Sequence, residues 1–470
     1  MIPVEEYTPD QPVFNNVGAS EAKNVIPALK SYRPFRNFVG IGNAYSGGDI
    51  RGAVSIKYSD FEVEHFAGTS VPNLRRFDGS AWEDVSRAAG YNYNGNSQLD
   101  GMFWRFAQFD LRVIAVNGVD EPQVFFVNSS SDFADLAGSP PVGSRDVTVV
   151  RDTVVMGGYT SDPNAVSWCN TGDPTAWASG SADSQTFPDG GRLMRLAGGP
   201  TLRVFMENAI YLGSPTIAPL TFTFDKVSQN LGILAEGSLA SYQNLDFFVS
   251  SAGIKMLVNG TEIIPIGAEK VDRYFFSSLG VSQNFNDVWG AIDPVNKLYV
   301  LGFHWAGDDE VDDGIAEAPI TTLLLYNWEI QRWSRAVVDL DYVFTSFDTP
   351  GINSVLAGFN DSHVFGYFNG DNLAATVTTG EAELTPGRKS FVTGVRPMCD
   401  GGSPTVTLIT RDRPFDTATT GSAVSAHSAT GVCHFRSEAR YHRAQIDIPA
   451  ASTWSHIYGV DPEFRPAGYR

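Results

Sequence analysis

The run Val113-Ile114-Ala115-Val116-Asn117-Gly118 is a short, β-rich apolar stretch that ends in glycine, and the chain repeats this kind of unit over much of its length. Comparable runs start at residues 65, 154, 209, 246, 298 and 363, so successive starts lie 37 to 65 residues apart. Periods of roughly 40–50 residues are the sequence signature of β-propeller blades, each of which is a four-stranded sheet. The spacing therefore predicts a propeller with six or seven blades.

The composition of the 470 residues favours an all-β protein. There are 46 glycines and 26 prolines, and aromatic residues make up 12% of the chain, which suits many short strands joined by tight turns. No long segment has clean helical periodicity. We predict a β-propeller over residues 51–385, preceded by an extended Pro-rich arm over residues 1–50 and followed by a C-terminal β-sandwich docking domain over residues 386–470.

The two ends of the chain differ from the repeat region. Prolines at positions 9, 12, 27 and 34 stand in a polar context. Because proline fixes φ and removes a backbone donor, this favours an ordered extended arm over sheet interior or a disordered terminus. Towards the other end, residues 405–410 and 443–449 are alternating runs, and the second ends at a proline. Such runs predict a small antiparallel sandwich.

Charge is high and unevenly distributed. The formal net charge is −20, which argues against general affinity for nucleic acids, because phosphate binding needs a basic surface. Residues 386–470 nevertheless contain ten Lys or Arg and seven Asp or Glu, a net charge of +3 that leaves −23 for the rest. The asymmetry predicts a C-terminal domain with its own partner surface. Candidate docking residues there are Arg436, Arg440 and Arg443.

Cysteine usage and hydropathy bear on the compartment. Three cysteines are too few for a disulfide framework and indicate a reducing place of synthesis. Residues 1–6 have no basic region and no apolar run, so we expect no secretory signal. The longest apolar stretches, such as residues 323–326, are far shorter than the ~20 residues that span a bilayer.

Motifs of common catalytic sites are missing from the sequence. It has no Gly-x-Ser-x-Gly elbow, no Walker-type Gly-Lys-Ser/Thr and no His-Glu-x-x-His. Cys433, His434 and His442 are possible metal ligands, but a zinc site needs four ligands at a recognisable spacing. We therefore predict no catalytic residue, no metal and no cofactor. A pair of carboxylates that hydrolyses glycosides remains an open alternative, because the distance between the two groups in space decides that chemistry.

One loop is rich in carboxylates. Calcium favours clusters of oxygen ligands, but the fixed alternation of an EF-hand loop is absent here, so a solvated loop is the favoured interpretation. The acidic residues of this loop are Asp308, Asp309, Glu310, Asp312 and Asp313.

Residues 167–177 read Ser-Trp-Cys-Asn-Thr-Gly-Asp-Pro-Thr-Ala-Trp. A strand ending in Ser-Trp and followed by Gly-Asp-Pro-Thr-x-Trp resembles the tail nozzle or hub proteins of short-tailed bacteriophages, also called packaged-DNA stabilisation proteins. Further similar segments occur in the family's order from residues 9–10 to residues 332–334. The residues that we take to carry the resemblance are Asp10, Asn24, Pro27, Trp104, Trp168, Gly172, Asp173, Pro174, Trp177, Asp293, Trp328 and Trp333.

The resemblance implies a virion structural protein that forms a ring, usually a hexamer, below the portal and its adaptor. Such a ring belongs to the virion tail, is made in the bacterial host cytoplasm, contacts other tail proteins, and retains and then conducts double-stranded DNA without binding it specifically. An acidic wall fits this role because it repels phosphate, and residues 308–313 are candidates for the lumen or the rim. The alternative is a propeller that acts as a carbohydrate-active hydrolase or as a receptor-binding module.

Overall fold

The structure is a computed structural model, and it describes residues 1–14, 16–45, 47–59, 62–92, 103–216, 221–279, 285–304, 321–347 and 354–468. Strands form nearly all of its regular structure, which confirms the prediction of an all-β protein. The N-terminal segment contributes five short strands: β1 (Ile2–Pro3), β2 (Glu21–Lys23), β3 (Val25–Ala28), β4 (Ser31–Pro34) and β5 (Val39–Gly40). In these described ranges no helix is long and apolar enough to cross a membrane.

The repeat region folds into consecutive antiparallel sheets of four strands. The first sheet holds β6 (Ile50–Lys57), β7 (Val63–Thr69), β8 (Leu74–Phe77) and β9 (Trp82–Asp84). The second sheet holds β10 (Arg105–Phe109), β11 (Arg112–Val116), β12 (Gln123–Phe126) and β13 (Ala134–Asp135). The third sheet holds β14 (Asp146–Val150), β15 (Thr153–Tyr159), β16 (Asp162–Trp168) and β17 (Asp183–Thr186).

Four more groups of strands follow in chain order. The fourth sheet holds β18 (Leu193–Ala197), β19 (Leu202–Met206), β20 (Ala209–Pro215) and β21 (Phe222–Gln229). The fifth holds β22 (Ala235–Tyr242), β23 (Leu245–Ser250), β24 (Gly253–Val258) and β25 (Glu262–Pro265), and helix α1 (Asp272–Ser278) and a 3-10 turn (Phe285–Asp287) come after it. The sixth holds β26 (Val288–Asp293), β27 (Leu298–His304), β28 (Thr321–Asn327) and β29 (Arg332–Val338). The seventh combines β30 (Tyr342–Thr345), β31 (Leu356–Phe359) and β32 (Phe365–Tyr367) with β5 from the N-terminal segment.

The first strands of these sheets contact one another in series. β6 lies against β10, and the contacts continue through β14, β18, β22, β26 and β30, which contacts β6 again. An apolar cluster fills the space between each neighbouring pair of sheets. Sheets that pack face to face around a common axis in this way form a propeller-like body.

The unbroken apolar run of β11 shows how sequence produces this packing. Val113 and Ala115 belong to the cluster shared with the first sheet, whereas Ile114 and Val116 belong to the cluster shared with the third. Successive side chains of a strand point to opposite faces, so a strand buried on both faces needs apolar residues at every position. A continuous run, rather than an alternating one, is therefore the expected signature of an inner strand.

The remaining strands lie near the C-terminus. They are β33 (Ala375–Thr378), β34 (Ala382–Glu383), β35 (Ser390–Cys399), β36 (Thr405–Arg411), β37 (Thr419–Thr420), β38 (Val424–Ser425), β39 (Cys433–Ala439), β40 (Tyr441–Ile448) and β41 (Ile457–Pro466). One six-stranded sheet runs β3-β4-β41-β35-β39, with β1 also on β41. The other C-terminal strands extend the sixth sheet, in the order β26-β27-β28-β29-β2-β33-β40-β36-β37, with β34 on β40 and β38 on β36.

The segment predicted as an extended arm is thus built into the sheets of its own chain. β1 and β4 pair with β41, β2 joins β29 to β33, and β5 is the outermost strand of the seventh sheet. β33 and β34 precede the predicted boundary at residue 386 yet pair with β40 beyond it. The N-terminal segment therefore ties the propeller-like body to the C-terminal strands.

Candidate functional site

A cavity of about 350 Å³ lies on the axis that the first strands surround. All seven first strands, from β6 to β30, contribute to its lining, so it is the channel of the propeller-like body. Its volume is in the range of small-molecule sites. The charged side chains in its lining are Arg105, Asp146 and Arg195, from the second, third and fourth sheets.

Two arginines beside the cavity are held by carboxylates. Arg195 donates through Nε to Oδ2 of Asp146 at 2.8 Å and through Nη1 to the carbonyl of Glu236 at 2.7 Å. Arg145 donates through Nε to Oε1 of Glu236 at 2.9 Å. The side chains of Asp146 and Glu236 are only 3% and 5% exposed. Charges buried to this degree are tolerated because each is paired and hydrogen-bonded.

Arg105 lacks such a partner. It is 9% exposed, its Nη2 atom donates no hydrogen bond, and it forms no ion pair in the part of the chain that the structure describes. Its guanidinium lies over the ring of Phe103, 4.8 Å from the centroid. Burial, followed by the positive charge of Arg195, lowers the pKa of Arg105 to about 10, against the opposing effect of Asp146. The side chain is still a cation at neutral pH.

A smaller cavity adjoins the axial one, because Arg105, Gly237 and Tyr342 line both. Its lining also includes Arg51 and Trp289, whose Nε and Nε1 atoms are buried without a hydrogen-bond partner. Among the described residues, nine buried polar side-chain atoms lack a partner, and three of them belong to residues around this one place. All three are N–H donors, so the site is complementary to an acceptor rather than to a cation.

A buried serine and histidine also lie within hydrogen-bond distance of each other. The Oγ atom of Ser55 is 2.6 Å from Nδ1 of His65, and Nε2 of His65 is 2.9 Å from the hydroxyl of Tyr367. Ser55 is in turn 2.8 Å from the hydroxyl of Ser346. A consistent assignment has Tyr367 donating to His65, His65 donating to Ser55 and Ser55 donating to Ser346.

This network joins the first sheet to the seventh rather than presenting a nucleophile. Ser55 and His65 are 6% and 5% exposed, so the serine hydroxyl is buried away from any substrate whichever tautomer His65 adopts. Burial lowers the pKa of His65 to about 4. The neutral imidazole therefore acts as a hydrogen-bond link across the seam where the ring of sheets closes.

Asp10, the first residue of the resemblance, caps a helix 263 residues further along the chain. Its two carboxylate oxygens each accept one amide of the first turn of α1, from Arg273 and from Tyr274, both at 2.7 Å. The residue at the helix's own N-cap position, Val271, makes no side-chain cap. Asp10 thus supplies from a distance the acceptor that the local sequence lacks.

Asn24 and Pro27 lie where the N-terminal segment meets the sixth sheet. Asn24 has a φ of +60°, a left-handed conformation that asparagine tolerates better than most residues. Its side chain donates to the carbonyl of Ala374 and accepts from the amide of Val337, both at 2.8 Å. Pro27 lies in β3 opposite Tyr32 of β4. These contacts fix the N-terminal segment between β29 and β33.

Two tryptophans of the resemblance pack between neighbouring sheets of the first half. Trp104, which precedes β10, is 1% exposed and donates through Nε1 to the carbonyl of Thr69 in the first sheet at 3.3 Å. Trp168 of the third sheet contacts Phe222 of the fourth edge to face, with ring centroids 5.1 Å apart. Both side chains contribute to packing between sheets.

The residues of the resemblance around the sixth sheet have similar roles. Trp328 packs on Tyr242 of the fifth sheet with ring centroids 5.5 Å apart. Trp333 is fully buried and donates to the carbonyl of Ile266 at 2.8 Å. Asp293 accepts the amides at positions 295 and 296, each at 3.0 Å, and so closes the turn between β26 and β27.

The segment Gly172 to Trp177 forms a closed turn of its own. Gly172 has a φ of +80°, which favours glycine. Oδ1 of Asp173 accepts from the amide and the hydroxyl of Thr175 at 2.9 and 2.7 Å. The indole of Trp177 donates to the carbonyl of Pro174 at 2.8 Å. The motif that first indicated the resemblance is thus accounted for by local turn chemistry.

The three candidate docking residues differ in exposure and in whether they form an ion pair. Arg436 is exposed on β39. Arg440 is paired through Nε with Oε1 of Glu383 at 2.6 Å. Arg443 is partly buried, and burial lowers its pKa. The acidic candidates at 308–313 lie outside the described residues.

The possible metal ligands at the C-terminus are not gathered into a site. In the described ranges no group of three His, Cys, Asp or Glu side chains is arranged to hold a metal ion. Cys433 is buried and His434 is exposed. His442 is 3% exposed with both ring nitrogens unpartnered, and burial lowers its pKa to about 4, against a weaker opposing effect of Asp412.

Sequence reasoning did not single out the charged residues of the axial cavity. The available signal was a charge between apolar residues, as at Arg195 inside β18 and at Arg105, which begins β10 between Trp104 and Phe106. Burying a charge is costly in free energy unless a partner or a ligand neutralises it. A charged residue in a strand predicted to be buried on both faces is therefore a candidate binding residue.

The chain matches no protein-family model and no curated protein. Among solved structures, it is similar to the β-propeller domain of Cps50 (Swd1) from Myceliophteria thermophila, with a TM-score of 0.42 and 6% identity over 70% of this chain and 99% of that chain. It is also similar to U3-55K, with a TM-score of 0.40 and 8% identity over 73% and 91% of the two chains. A computationally designed protein, Ika8, gives a TM-score of 0.40 and 9% identity over 78% and 97%. The propeller-like fold follows from the sheet topology and from the closed series of first strands.

Proposed function

We propose that this chain is a structural subunit of a short-tailed bacteriophage tail, the nozzle or hub that retains packaged DNA and conducts it at injection. The observation that carries the proposal is that segments of the resemblance from distant parts of the chain contact one another. Asp10 caps α1, whose first residues fall within residues 270–276, a further segment of the resemblance. Asn24 bonds to the strand that contains Trp333. These contacts join several segments of the resemblance in one framework, which supports the proposal.

We further infer that the body is a seven-bladed propeller and that the C-terminal strands form a two-sheet sandwich. The closed series of seven first strands supports the blade number. β5 completes the seventh sheet, so the N-terminal segment closes the ring of blades. The apolar side chains shared by the two C-terminal sheets, which include Val395 and Ile446, support the sandwich.

In this proposal DNA passes between subunits and not through the propeller. The axial cavity of about 350 Å³ has the volume of a small ligand and does not admit a duplex. Six copies of the chain would carry a formal charge of −120. At ~0.15 M salt the Debye length is roughly 8 Å, so an acidic wall repels only the DNA that comes close to it.

Ring contacts are assigned to exposed apolar side chains of the N-terminal segment and the C-terminal strands. Strands β1 to β5 pair within their own chain, so the N-terminal segment can contact a neighbouring subunit only through its exposed side chains. The most exposed of its large apolar side chains is that of Val17, at 80%. Phe415 near the C-terminus is also 80% exposed. Side chains of this kind match the apolar centre of a subunit interface. A heterologous interface between such surfaces closes into a ring.

The experiment is to measure particle mass by light scattering and electron microscopy, alone and with the portal and adaptor proteins of the same virion. We expect a ring of about six chains, which Val17→Asp and Phe415→Asp each abolish. Val295→Asp is the matched control, because Val295 is 72% exposed on the propeller-like body, and it should leave the ring intact. A chain that stays monomeric with both partners refutes the proposal, and a monomer that cleaves glycans favours the hydrolase.

DNA binding provides a second test. In a titration at ~0.15 M salt we expect duplex DNA to bind no more tightly than typical non-specific binders, with a Kd of ~10⁻⁶ M or weaker. Binding with a Kd far below this value would contradict a passive acidic conduit and would indicate an active DNA clamp.

A further inference from the structure

The axial cavity contains a cation whose charge is not neutralised by the described residues. Nη2 of Arg51 is 3.2 Å from a carboxylate oxygen of Asp49, and Nε of Arg195 is 2.8 Å from Asp146. Arg105 has no comparable neighbour in the part of the chain that the structure describes, although it is nine-tenths buried. A buried charge without a partner is strongly unfavourable, so this arrangement calls for a counter-charge.

The guanidinium of Arg105 lies close to the axis. Its electrostatic neighbours come from the first strands of the third, fourth, fifth and seventh sheets, and they are Asp146, Arg195, Glu236 and Tyr342. A side chain that reaches first strands on several sides of the ring lies near its centre. The carboxylates among these neighbours already pair with Arg195 and Arg145.

We propose that the axial cavity binds a small oxyanion, a carboxylate or phosphate group, that pairs with the guanidinium of Arg105. A guanidinium is planar and presents two parallel N–H donors to two oxygens of such a group. The unpartnered donors Nε of Arg51 and Nε1 of Trp289 belong to residues that line the smaller adjoining cavity, which Arg105 also lines. The volume of about 350 Å³ accommodates the anion together with a small organic group. This site goes beyond the proposed tail function and does not depend on it.

The test is a titration of the full-length protein with inorganic phosphate and, separately, with acetate, at constant ionic strength. For at least one anion we expect a saturable rise in melting temperature of about 3 °C at a hundredfold excess over Kd. Arg105→Met should lose the saturable rise and weaken binding, measured by calorimetry, at least tenfold. Phosphate also stabilises proteins generally by exclusion from their surface, but that effect does not saturate and is shared by all variants.

The matched control is Arg112→Met. Arg112 lies on the neighbouring strand β11 and its side chain is 29% exposed, so this variant should respond to anions like the wild type. In buffer without either anion, Arg105→Met should melt above the wild type, because it removes an unpaired buried charge. A wild type with no saturable response to either anion, or an equal response in Arg105→Met, would overturn the proposal. Ring formation is measured separately, so its failure would leave this result intact.

Discussion

Replacing His442 with leucine is expected to stabilise the protein. His442 is 3% exposed, and neither of its ring nitrogens has a hydrogen-bond partner among the described residues. Its surroundings are largely apolar and include Leu384, Val392 and Leu408. Burying an unpartnered polar group costs about 1–3 kcal/mol, and leucine has a similar volume. We therefore expect His442→Leu to raise the free energy of unfolding at pH 7 by about 1–2 kcal/mol.

The advantage of the leucine variant should grow in acid. Burial lowers the pKa of His442 from 6.5 to about 4. Between these values the unfolded chain binds a proton that the folded chain does not, so wild-type stability falls as the pH drops below ~6.5, and this loss is complete below ~4. From pH 7 to pH 5 the loss is about 2 kcal/mol, at 1.36 kcal/mol for each pKa unit. His442→Leu lacks this loss.

Urea unfolding followed by tryptophan fluorescence at pH 7 and pH 5 measures both effects. His434→Leu is the matched control, because His434 is exposed on β39, the strand that precedes β40 in the chain. It should change the stability by no more than about 0.5 kcal/mol at either pH. If His442→Leu unfolds at lower urea than the wild type at both pH values, or if the difference does not widen in acid, the reasoning about the unpartnered ring is refuted.

Three further substitutions test other contacts through the same unfolding assay. Asp10→Ala removes both carboxylate acceptors from α1 and should cost about 2 kcal/mol. Arg203→Met should cost about 3–5 kcal/mol, because it leaves the buried carboxylate of Asp246 unpaired at the junction of the fourth and fifth sheets. Gly68→Ala should cost about 1–3 kcal/mol, because an added Cβ would overlap the ring of Trp104.

Each of these has a control that separates the stated cause from general disruption. Asp10→Asn keeps one acceptor and should lose less than Asp10→Ala. The double variant Arg203→Met with Asp246→Leu removes both charges and should recover most of the loss. Gly468→Ala adds a Cβ where no atom lies within 4 Å, and it should be neutral. Equal losses in variant and control would contradict the explanation given for that contact.

The inner strands were predictable because their own residues show that both faces of the strand are buried. A run such as Val113 to Val116 is apolar at every position, since alternate side chains enter different clusters, and glycine marks its end. Period and composition together were enough to predict an all-β chain of repeated sheets. The blade number stays a prediction, because the spacing of the runs is irregular.

The N-terminal segment was not predictable in the same way. β2 and β5 have three and two residues, too few for any periodicity, and their partners lie more than 300 residues away. Pro27 argued against sheet interior, and it occupies β3, which lies at the edge of the six-stranded sheet, where proline is tolerated. Local propensity contains no information about such distant pairing.

The axial site was only partly visible in the sequence. A charge between apolar neighbours, as at Arg105 between Trp104 and Phe106, can be read from sequence alone. Whether that charge is paired depends on side chains such as Asp146 and Glu236, which come from other sheets. Arg105 is a candidate binding residue because the carboxylates near it already pair with other arginines. That pairing depends on the folded structure and cannot be read from the sequence.

The N-terminal strands are made early but pair with strands that are made late, so part of the fold cannot form until synthesis is nearly complete. β1 leaves the ribosome first, but its partner β41 is made more than 450 residues later, a delay of roughly 20–90 s at bacterial rates of translation. Until then the edges that await these strands are open. We expect the same edges to accept the strands of a neighbouring nascent chain, so crowded synthesis should favour exchanged dimers. Slower expression should then increase the yield of correctly closed chains.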